Sequence, residues 1–213
     1  MTSRLIVYIV DDDLAVLTSM SRALTKRGYH VQTFSSASQF LEGYEPDIRG
    51  CLVLDLSMPG MDGLALQREL NARGCGLPMI FITGHGGVTE SVNALKSGAI
   101  DFLQKPFKQS QLLDAIERAF ELFTQLEIGN AENRDFLAKY ARLSEREKDL
   151  ITAILEDQGE VSSKTLARKL GISHRTVDQH RAKVFIKMDV ASMTELVALL
   201  VKFQTRKGPL PEG

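Results

Sequence analysis

The stretch Cys51-Leu52-Val53-Leu54-Asp55 decides the fold of the first half of the chain, because it is a short apolar run that ends in one carboxylate. Similar runs occur at Leu5–Val10, Val31–Phe34, Met79–Ile82 and Asp101–Leu103. Helical patterns lie between and after them, at about 14–27, 37–44, 62–72, 88–97 and 110–126. Short continuous apolar runs that alternate with helices indicate a parallel sheet covered on both faces. We therefore predict an α/β doubly wound, flavodoxin-like domain with a five-stranded parallel sheet.

The rest of the chain is predicted to be all-α. The last helix continues into a polar segment at 127–139, and we take residues 122–139 as a helical extension and linker. Ser144 and Glu147 then form a capping box, and the helical pattern continues to about Phe203. The predicted divisions are 1–121 for the α/β domain, 122–139 for the linker, 140–205 for the helical domain and 206–213 for a disordered tail.

Composition places the chain among soluble globular proteins with two domains. Its 213 residues are enough for two cores, and no apolar run reaches the roughly 20 residues needed to cross a bilayer, so we expect no membrane partner. Cys51 and Cys75 lack a metal-type spacing, and we expect free thiols in a cytoplasmic protein. Residues 1–120 carry 11 Lys and Arg against 13 Asp and Glu, whereas residues 141–207 carry 13 against 9. The basic excess favours a nucleic-acid contact by the second half.

Polar side chains follow the predicted strands at the point where each strand ends. Asp11, Asp12 and Asp13 follow the first strand, Asp55 ends the third, Thr83 ends the fourth and Lys105 follows the fifth. The carboxyl ends of parallel strands form one edge, where such sheets bind ligands. Clustered carboxylates suit Mg²⁺, and a carboxylate can attack phosphorus to give an aspartyl phosphate. A lysine and a hydroxyl can then neutralise the phosphoryl oxygens.

The first half resembles the receiver domain of bacterial two-component response regulators, over about residues 4–121, in four ordered motifs: Val10-Asp11-Asp12-Asp13, Leu52–Gly63, Ile80-Phe81-Ile82-Thr83-Gly84-His85 and Lys105-Pro106-Phe107. The resemblance implies that Asp55 is the phosphoacceptor and that a sensor histidine kinase is a partner. It implies a Mg²⁺ site formed by Asp12 directly, Asp11 through water, Asp55, and the backbone carbonyl of Ser57. Thr83 and Lys105 would contact the phosphoryl group, Phe102 would reorient on activation, and Pro106 would follow a cis peptide bond.

Two alternatives remain open for this half, and a third can be set aside. Asp13 could simply cap the following helix, and Phe102 could be an ordinary core residue. Asp55 could also be the catalytic nucleophile of a phosphatase. Enzymes of the haloacid-dehalogenase type need a second acid two residues after the nucleophile, and position 57 is serine. We therefore predict that the protein is not an enzyme.

Residues 163–188 have the pattern of two helices joined by a tight turn. Gly171 is expected to end the first helix and Ser173 to cap the second, at about His174–Met188. The second helix would bury Val177, Val184, Phe185 and Met188 and expose Arg175, Asp178, Gln179, Ala182, Lys183 and Ile186. A largely polar, partly basic face of this kind suits the major groove of duplex DNA, although a solvated surface helix would have the same pattern.

The second half resembles the LuxR-type helix-turn-helix, over about residues 140–203, in Leu143-Ser144-Glu145-Arg146-Glu147, Leu166–Ser173, Thr176-Val177, His180-Arg181 and Lys187-Met188. The resemblance implies a transcription regulator that binds operator DNA, with homodimerisation on phosphorylation and RNA polymerase as an allowed further partner. Base contacts would fall to Asp178, Gln179 and Ala182, and contacts near the DNA backbone to Lys164, Thr176, His180 and Lys183. The stripe Leu196, Leu199 and Leu200 could serve a dimer or the core.

Asp178 has two interpretations of its own. Its carboxylate could accept a hydrogen bond from cytosine in the major groove. It could equally turn aside and pair with Arg175 or Arg181, each three residues away on the same helix.

Overall fold

The apolar runs form one parallel sheet. In this computed structural model, which describes residues 4–84, 98–156 and 162–210, the strands are Ile6–Val10 (β1), His30–Phe34 (β2), Gly50–Asp55 (β3), Met79–Thr83 (β4) and Asp101–Gln104 (β5). They lie in the order β2-β1-β3-β4-β5, with every neighbouring pair parallel. This order confirms the predicted flavodoxin-like fold.

Helices cover both faces of the sheet, as the continuous apolar runs require. On one face, Val7, Ile9 and Val53 pack with the helices Leu14–Thr25 (α1) and Gln109–Tyr140 (α4). On the other, Tyr8, Val10 and Leu54 pack with Ala37–Glu42 (α2) and Gly63–Ala72 (α3). Successive strand residues thus enter different cores, which leaves no polar face to the strand. The helix predicted at 88–97 lies outside the described residues.

Strand β3 begins at Gly50, one residue before the predicted apolar run. The backbone conformation of Gly50 explains this difference. Its φ angle is +138°, a region that side chains disfavour. A Cβ atom at this position would lie 1.8 Å from the carbonyl oxygen of Ile6 on β1. Only glycine permits the two central strands to pair at this point.

The chain divides into two units, residues 1–128 and 129–213. The second contains the helices Glu145–Glu156 (α5), Ser163–Leu170 (α6), His174–Met188 (α7) and Met193–Lys207 (α8), together with the last part of α4. Phe136 of α4 stacks on Phe203 of α8 at 4.1 Å between ring centroids, and Tyr140 is buried in the same core. Residues 129–139, which the sequence pattern assigns to the linker, therefore supply part of this core.

The predicted disordered tail at 206–213 needs correction. Helix α8 includes Arg206 and Lys207, and Leu210 packs against the core of the second unit. Arg206 and Lys202 both bond to the carboxylate of Glu132 on α4, which ties down the last turns of α8. Residues 211–213 lie outside the described part of the chain. No helix in that part is long and apolar enough to cross a bilayer.

Candidate functional site

An acidic site lies at the carboxyl edge of the sheet. Asp11 follows β1 directly and is 2% exposed, Asp55 is the last residue of β3 and is 6% exposed, and Thr83 is the last residue of β4 and is fully buried. Lys105 follows β5 directly and is joined to Pro106 by a cis peptide bond, as predicted. The parallel topology is what brings these separate positions to one edge.

Lys105 links the two buried carboxylates. Its Nζ atom lies 2.8 Å from Oδ2 of Asp11 and 2.8 Å from Oδ1 of Asp55. The second oxygen of each carboxylate accepts a backbone hydrogen bond, from Ser57 to Asp55 at 2.7 Å and from Asp13 to Asp11 at 2.9 Å. Both carboxylates are thereby fixed in orientation with one ammonium group between them.

The protonation of Lys105 follows from these contacts. Burial lowers the pKa of its ammonium, but the hydrogen bonds and charges of Asp11 and Asp55 outweigh that effect, so its pKa lies above the ordinary value. Lys105 therefore stays positively charged at neutral pH. Its single charge leaves the pair of carboxylates with a net negative charge.

The oxygen atoms at this edge are of the kind that a hard divalent cation binds. Asp12, beside Asp11, is exposed, and so is Ser57, two residues after Asp55. Within the described ranges, no three His, Cys, Asp or Glu side chains converge closely enough to hold a metal by themselves. Mg²⁺ prefers oxygen ligands, takes one or two carboxylates and usually keeps several waters. In that sense the residues fit the predicted ion.

Two of the open alternatives concern residues around the site. Asp13 is the N-cap of α1, since its Oδ1 accepts hydrogen bonds from the backbone of Ala15 and Val16. Phe102 on β5 is half-buried, with its ring centroid 6.5 Å from that of Phe81. It packs at the margin of the core and keeps part of its ring in solvent, so either predicted role is compatible with its position.

The helix-turn-helix forms as its sequence predicts. Ser162 caps α6, Gly171 follows it with φ +65° and ψ +31°, and Ser173 caps α7 by accepting a hydrogen bond from the backbone of Thr176 at 3.1 Å. The left-handed conformation of Gly171 makes the turn between the two helices tight.

Helix α7 has a buried face and an exposed one. Val177, Val184 and Met188 are fully buried and Phe185 is half-buried. The opposite face is exposed at every predicted position: Arg175, Asp178, Gln179, Ala182, Lys183 and Ile186. Of the predicted backbone contacts, Lys164 on α6 is exposed, while Thr176 and His180 are half-buried.

Asp178 is engaged within the protein. Its Oδ1 atom accepts hydrogen bonds from Arg181 and from Ser163 on α6, both at 2.8 Å. Of the two interpretations, pairing with Arg181 is therefore the one observed. The contact with Ser163 could not be foreseen, because nothing in the helical spacing relates positions on separate helices.

A buried ion pair joins α5 to the end of α7. Glu147 is 2% exposed, and its Oε2 atom accepts hydrogen bonds from Lys187 at 2.6 Å and from the backbone of Ser144 at 2.8 Å. The second bond confirms that part of the capping box. Burial raises the pKa of Glu147, but the bonds from Lys187 and Ser144 prevail, so its pKa lies below the ordinary value. The sequence indicated the cap but not the lysine, 40 residues away.

Comparisons with known proteins agree with both halves. Residues 7–117 match the family model of the response regulator receiver domain, and residues 141–200 match that of the bacterial regulatory proteins of the luxR family. The response regulator protein TmoT of Ectopseudomonas mendocina is 42% identical over 90% of this chain and 86% of its own length. The transcriptional regulatory protein FixJ of Rhizobium meliloti is 41% identical over 91% of this chain and 93% of its own length.

Two solved structures extend the likeness over the whole chain. The response regulator StyR has a TM-score of 0.79 and 39% identity, covering 94% of this chain and 100% of its own. Full-length FixJ from B. japonicum has a TM-score of 0.58 and 35% identity, covering 96% of this chain and 99% of its own. The chain therefore belongs to the FixJ-like two-component response regulators, transcription regulators in which a receiver domain precedes a luxR-family DNA-binding domain.

Proposed function

We propose that a sensor histidine kinase phosphorylates this regulator on Asp55, with Mg²⁺, and that phosphorylation switches its binding to operator DNA. The observation that supports the proposal is the position of Asp55 and the hydrogen bonds that its carboxylate accepts. Its carboxylate ends a buried strand, and its two oxygens are oriented by Lys105 and by the backbone of Ser57. A carboxylate fixed in this way is prepared to act as a nucleophile.

The transfer itself makes one bond and breaks one. An oxygen of Asp55 attacks the phosphorus of the kinase phosphohistidine, the new O–P bond forms, and the P–N bond breaks so that imidazole leaves. Lys105 then shifts its ammonium toward the phosphoryl oxygens, and the hydroxyl of Thr83 bonds to another of them. Asp12 directly, Asp11 through water, Asp55 and the backbone carbonyl of Ser57 would hold Mg²⁺, which would supply positive charge to the same oxygens.

In this proposal, Thr83 and Phe102 change position after phosphorylation and transmit its effect. Thr83 moves toward the phosphoryl group, and Phe102 turns its partly exposed ring inward. Phe102 is half-buried and packs at the margin of the core. Burial of this ring alters the surface beside β5, where a second receiver can dock.

The DNA-binding half works through α7. Its exposed face enters the major groove, where Gln179 and Ala182 meet bases, and Lys164, Thr176, His180 and Lys183 lie near the phosphates. Asp178 stands among these residues as a negative charge held by Arg181 and Ser163. The same proposal places the protein in the cytoplasm and allows RNA polymerase to contact the bound regulator.

Phosphorylation is expected to raise DNA affinity mainly by promoting a dimer. Two linked half-sites gain affinity without any new base contact, because the second binds at a high effective concentration. Analytical ultracentrifugation with and without the phosphoryl mimic beryllofluoride should show a monomer converting to a dimer, while Asp55→Ala stays monomeric. If both states of the wild type are monomeric while operator binding still increases, phosphorylation instead releases an inhibitory contact between the units.

Asp178→Ala is expected to tighten binding to every duplex severalfold at low salt and to leave base preference unchanged. The substitution removes a negative charge that faces a dense row of phosphates, and it frees Arg181 to bind one. The gain should shrink at higher salt, because mobile ions screen surface charges. Asp149→Ala removes an exposed carboxylate from α5 and serves as the control, with a smaller effect expected.

Titration over all four bases at each operator position, at fixed salt, distinguishes the two roles of Asp178. Equally tighter binding to every duplex supports the electrostatic role of Asp178. Loss of preference at a single base pair, by about 1–3 kcal/mol, would show that Asp178 leaves Arg181 and reads a base.

A further inference from the structure

Ile186 is the most exposed large apolar side chain in the described part of the chain, at 79%. It lies near the end of α7, whose other large apolar residues are buried or half-buried. Among the residues that the structure describes, Ile186 is not part of any hydrophobic core. Exposed single apolar residues are common, so exposure alone does not assign a role.

The position of Ile186 on α7 indicates a role for its exposed side chain. It shares the outward face of α7 with Gln179 and Ala182, at intervals of three and four residues. Seven residues separate Gln179 from Ile186, which corresponds to roughly 10.5 Å along a helix. Base pairs follow one another at about 3.4 Å, so the two side chains are spaced to meet bases about three steps apart.

The chemical groups in the major groove of DNA indicate which base Ile186 would contact. In the major groove only thymine presents an apolar group, its 5-methyl, and that group is read by apolar contact. Resting on the proposed function of α7, we propose that Ile186 is a specificity-determining residue that packs against the 5-methyl group of a thymine in each operator half-site. Gln179 supplies hydrogen bonds at one end of the face, and Ile186 supplies an apolar contact at the other.

The proposal separates Ile186 from its neighbours on the same turn. Lys183 and Lys187 carry positive charges, but Lys187 is bonded to the buried Glu147 and is not available to DNA. Ile186 itself cannot attract phosphate. Its substitution should therefore change which bases are preferred, with little effect on the salt dependence of binding, which reflects phosphate contacts.

The test uses the full-length phosphorylated protein and a duplex recovered by repeated selection from a library randomised over two half-sites. Each thymine of one half-site is replaced in turn by uracil, which lacks only the methyl group. Wild-type protein should lose about fourfold in affinity at one of these positions, the size expected for one buried methyl group. Ile186→Ala and Ile186→Ser should be indifferent to the same replacement, and both should fold normally because the side chain is exposed.

Ile128→Ala is the matched control, since Ile128 is also an exposed isoleucine, at 55%, but lies on α4. It should retain the wild-type response to uracil. The proposal fails if the wild type is indifferent to uracil at every position, or if the Ile186 variants respond to it as strongly as the wild type. It also fails if Ile186→Ala binds all duplexes unchanged and loses only transcription activity, because the side chain then contacts a protein. If selection yields no preferred duplex, the proposed function itself is wrong.

Discussion

Asp55→Ala is expected to lose all acyl phosphate when the protein is incubated with acetyl phosphate and Mg²⁺. The substitution removes the only carboxylate at the end of β3, the position where Lys105 and the backbone of Ser57 orient a nucleophile. Asp11 directly follows β1, and the proposed site assigns its carboxylate to Mg²⁺ through water and not to the attack on phosphorus. Intact-protein and tryptic-peptide mass spectrometry would measure the phosphate.

Asp62→Ser is the matched control for this experiment. Asp62 is an exposed carboxylate that caps α3, and serine preserves the cap. The control should be phosphorylated like the wild type, on the peptide that contains Asp55. Undiminished acyl phosphate in Asp55→Ala would contradict the assignment of the phosphoacceptor.

Glu147→Ala is expected to destabilise the DNA-binding unit by about 3 kcal/mol, the low end of the range for breaking a buried ion pair. The low end applies because the Lys187 side chain is 31% exposed and can recover some hydration. The backbone N–H of Ser144 also loses its acceptor. A domain of ordinary stability, about 5–15 kcal/mol, would stay folded but lose a large part of that margin, and α7 would lose its ion pair with α5.

Unfolding of the full chain in urea, monitored by circular dichroism, should show two transitions. The free energy of unfolding should fall for the DNA-binding unit and stay unchanged for the receiver. Glu145→Ala is the control, because Glu145 lies two residues earlier on α5 and its ion pair with Lys148 is exposed. That variant should unfold like the wild type. Equal losses in both variants would mean that the buried position of Glu147 contributes nothing of its own.

The same pair should make stability depend on pH. Because the pKa of Glu147 is lowered by folding, its contribution is fully present above its unfolded pKa of about 4.3 and is lost as the pH falls through its folded pKa. Glu147→Gln keeps the shape of the side chain and should lack this component. A wild type and a Gln variant with the same acid profile would show that the charge does not matter.

Much of the receiver could be predicted because its strands and functional residues are recognisable from short stretches of sequence. Each strand is a short apolar run, and each functional side chain directly follows one, so the parallel topology alone gathers Asp11, Asp55 and Lys105. The turn at Gly171 and the two faces of α7 were likewise predictable from a single residue type and a helical period.

What the sequence did not reveal depends on contacts between distant positions. The segment 129–139 seemed polar enough for a linker, yet Phe136 within it enters the core of the second unit, together with Tyr140 just after it. No periodicity relates Glu147 to Lys187 or Ser163 to Asp178, because such pairs depend on how the helices cross. Order at Arg206 likewise depends on Glu132, far away in sequence.

The central claim is that phosphate on Asp55 switches DNA binding, and one titration tests it most directly. The selected duplex is titrated at fixed salt with wild-type protein, before and after phosphorylation verified by mass spectrometry, and with Asp55→Ala treated identically. The account predicts a lower Kd for the phosphorylated wild type and no response in the variant. An unchanged Kd for fully phosphorylated protein, or an equal response in Asp55→Ala, would contradict it.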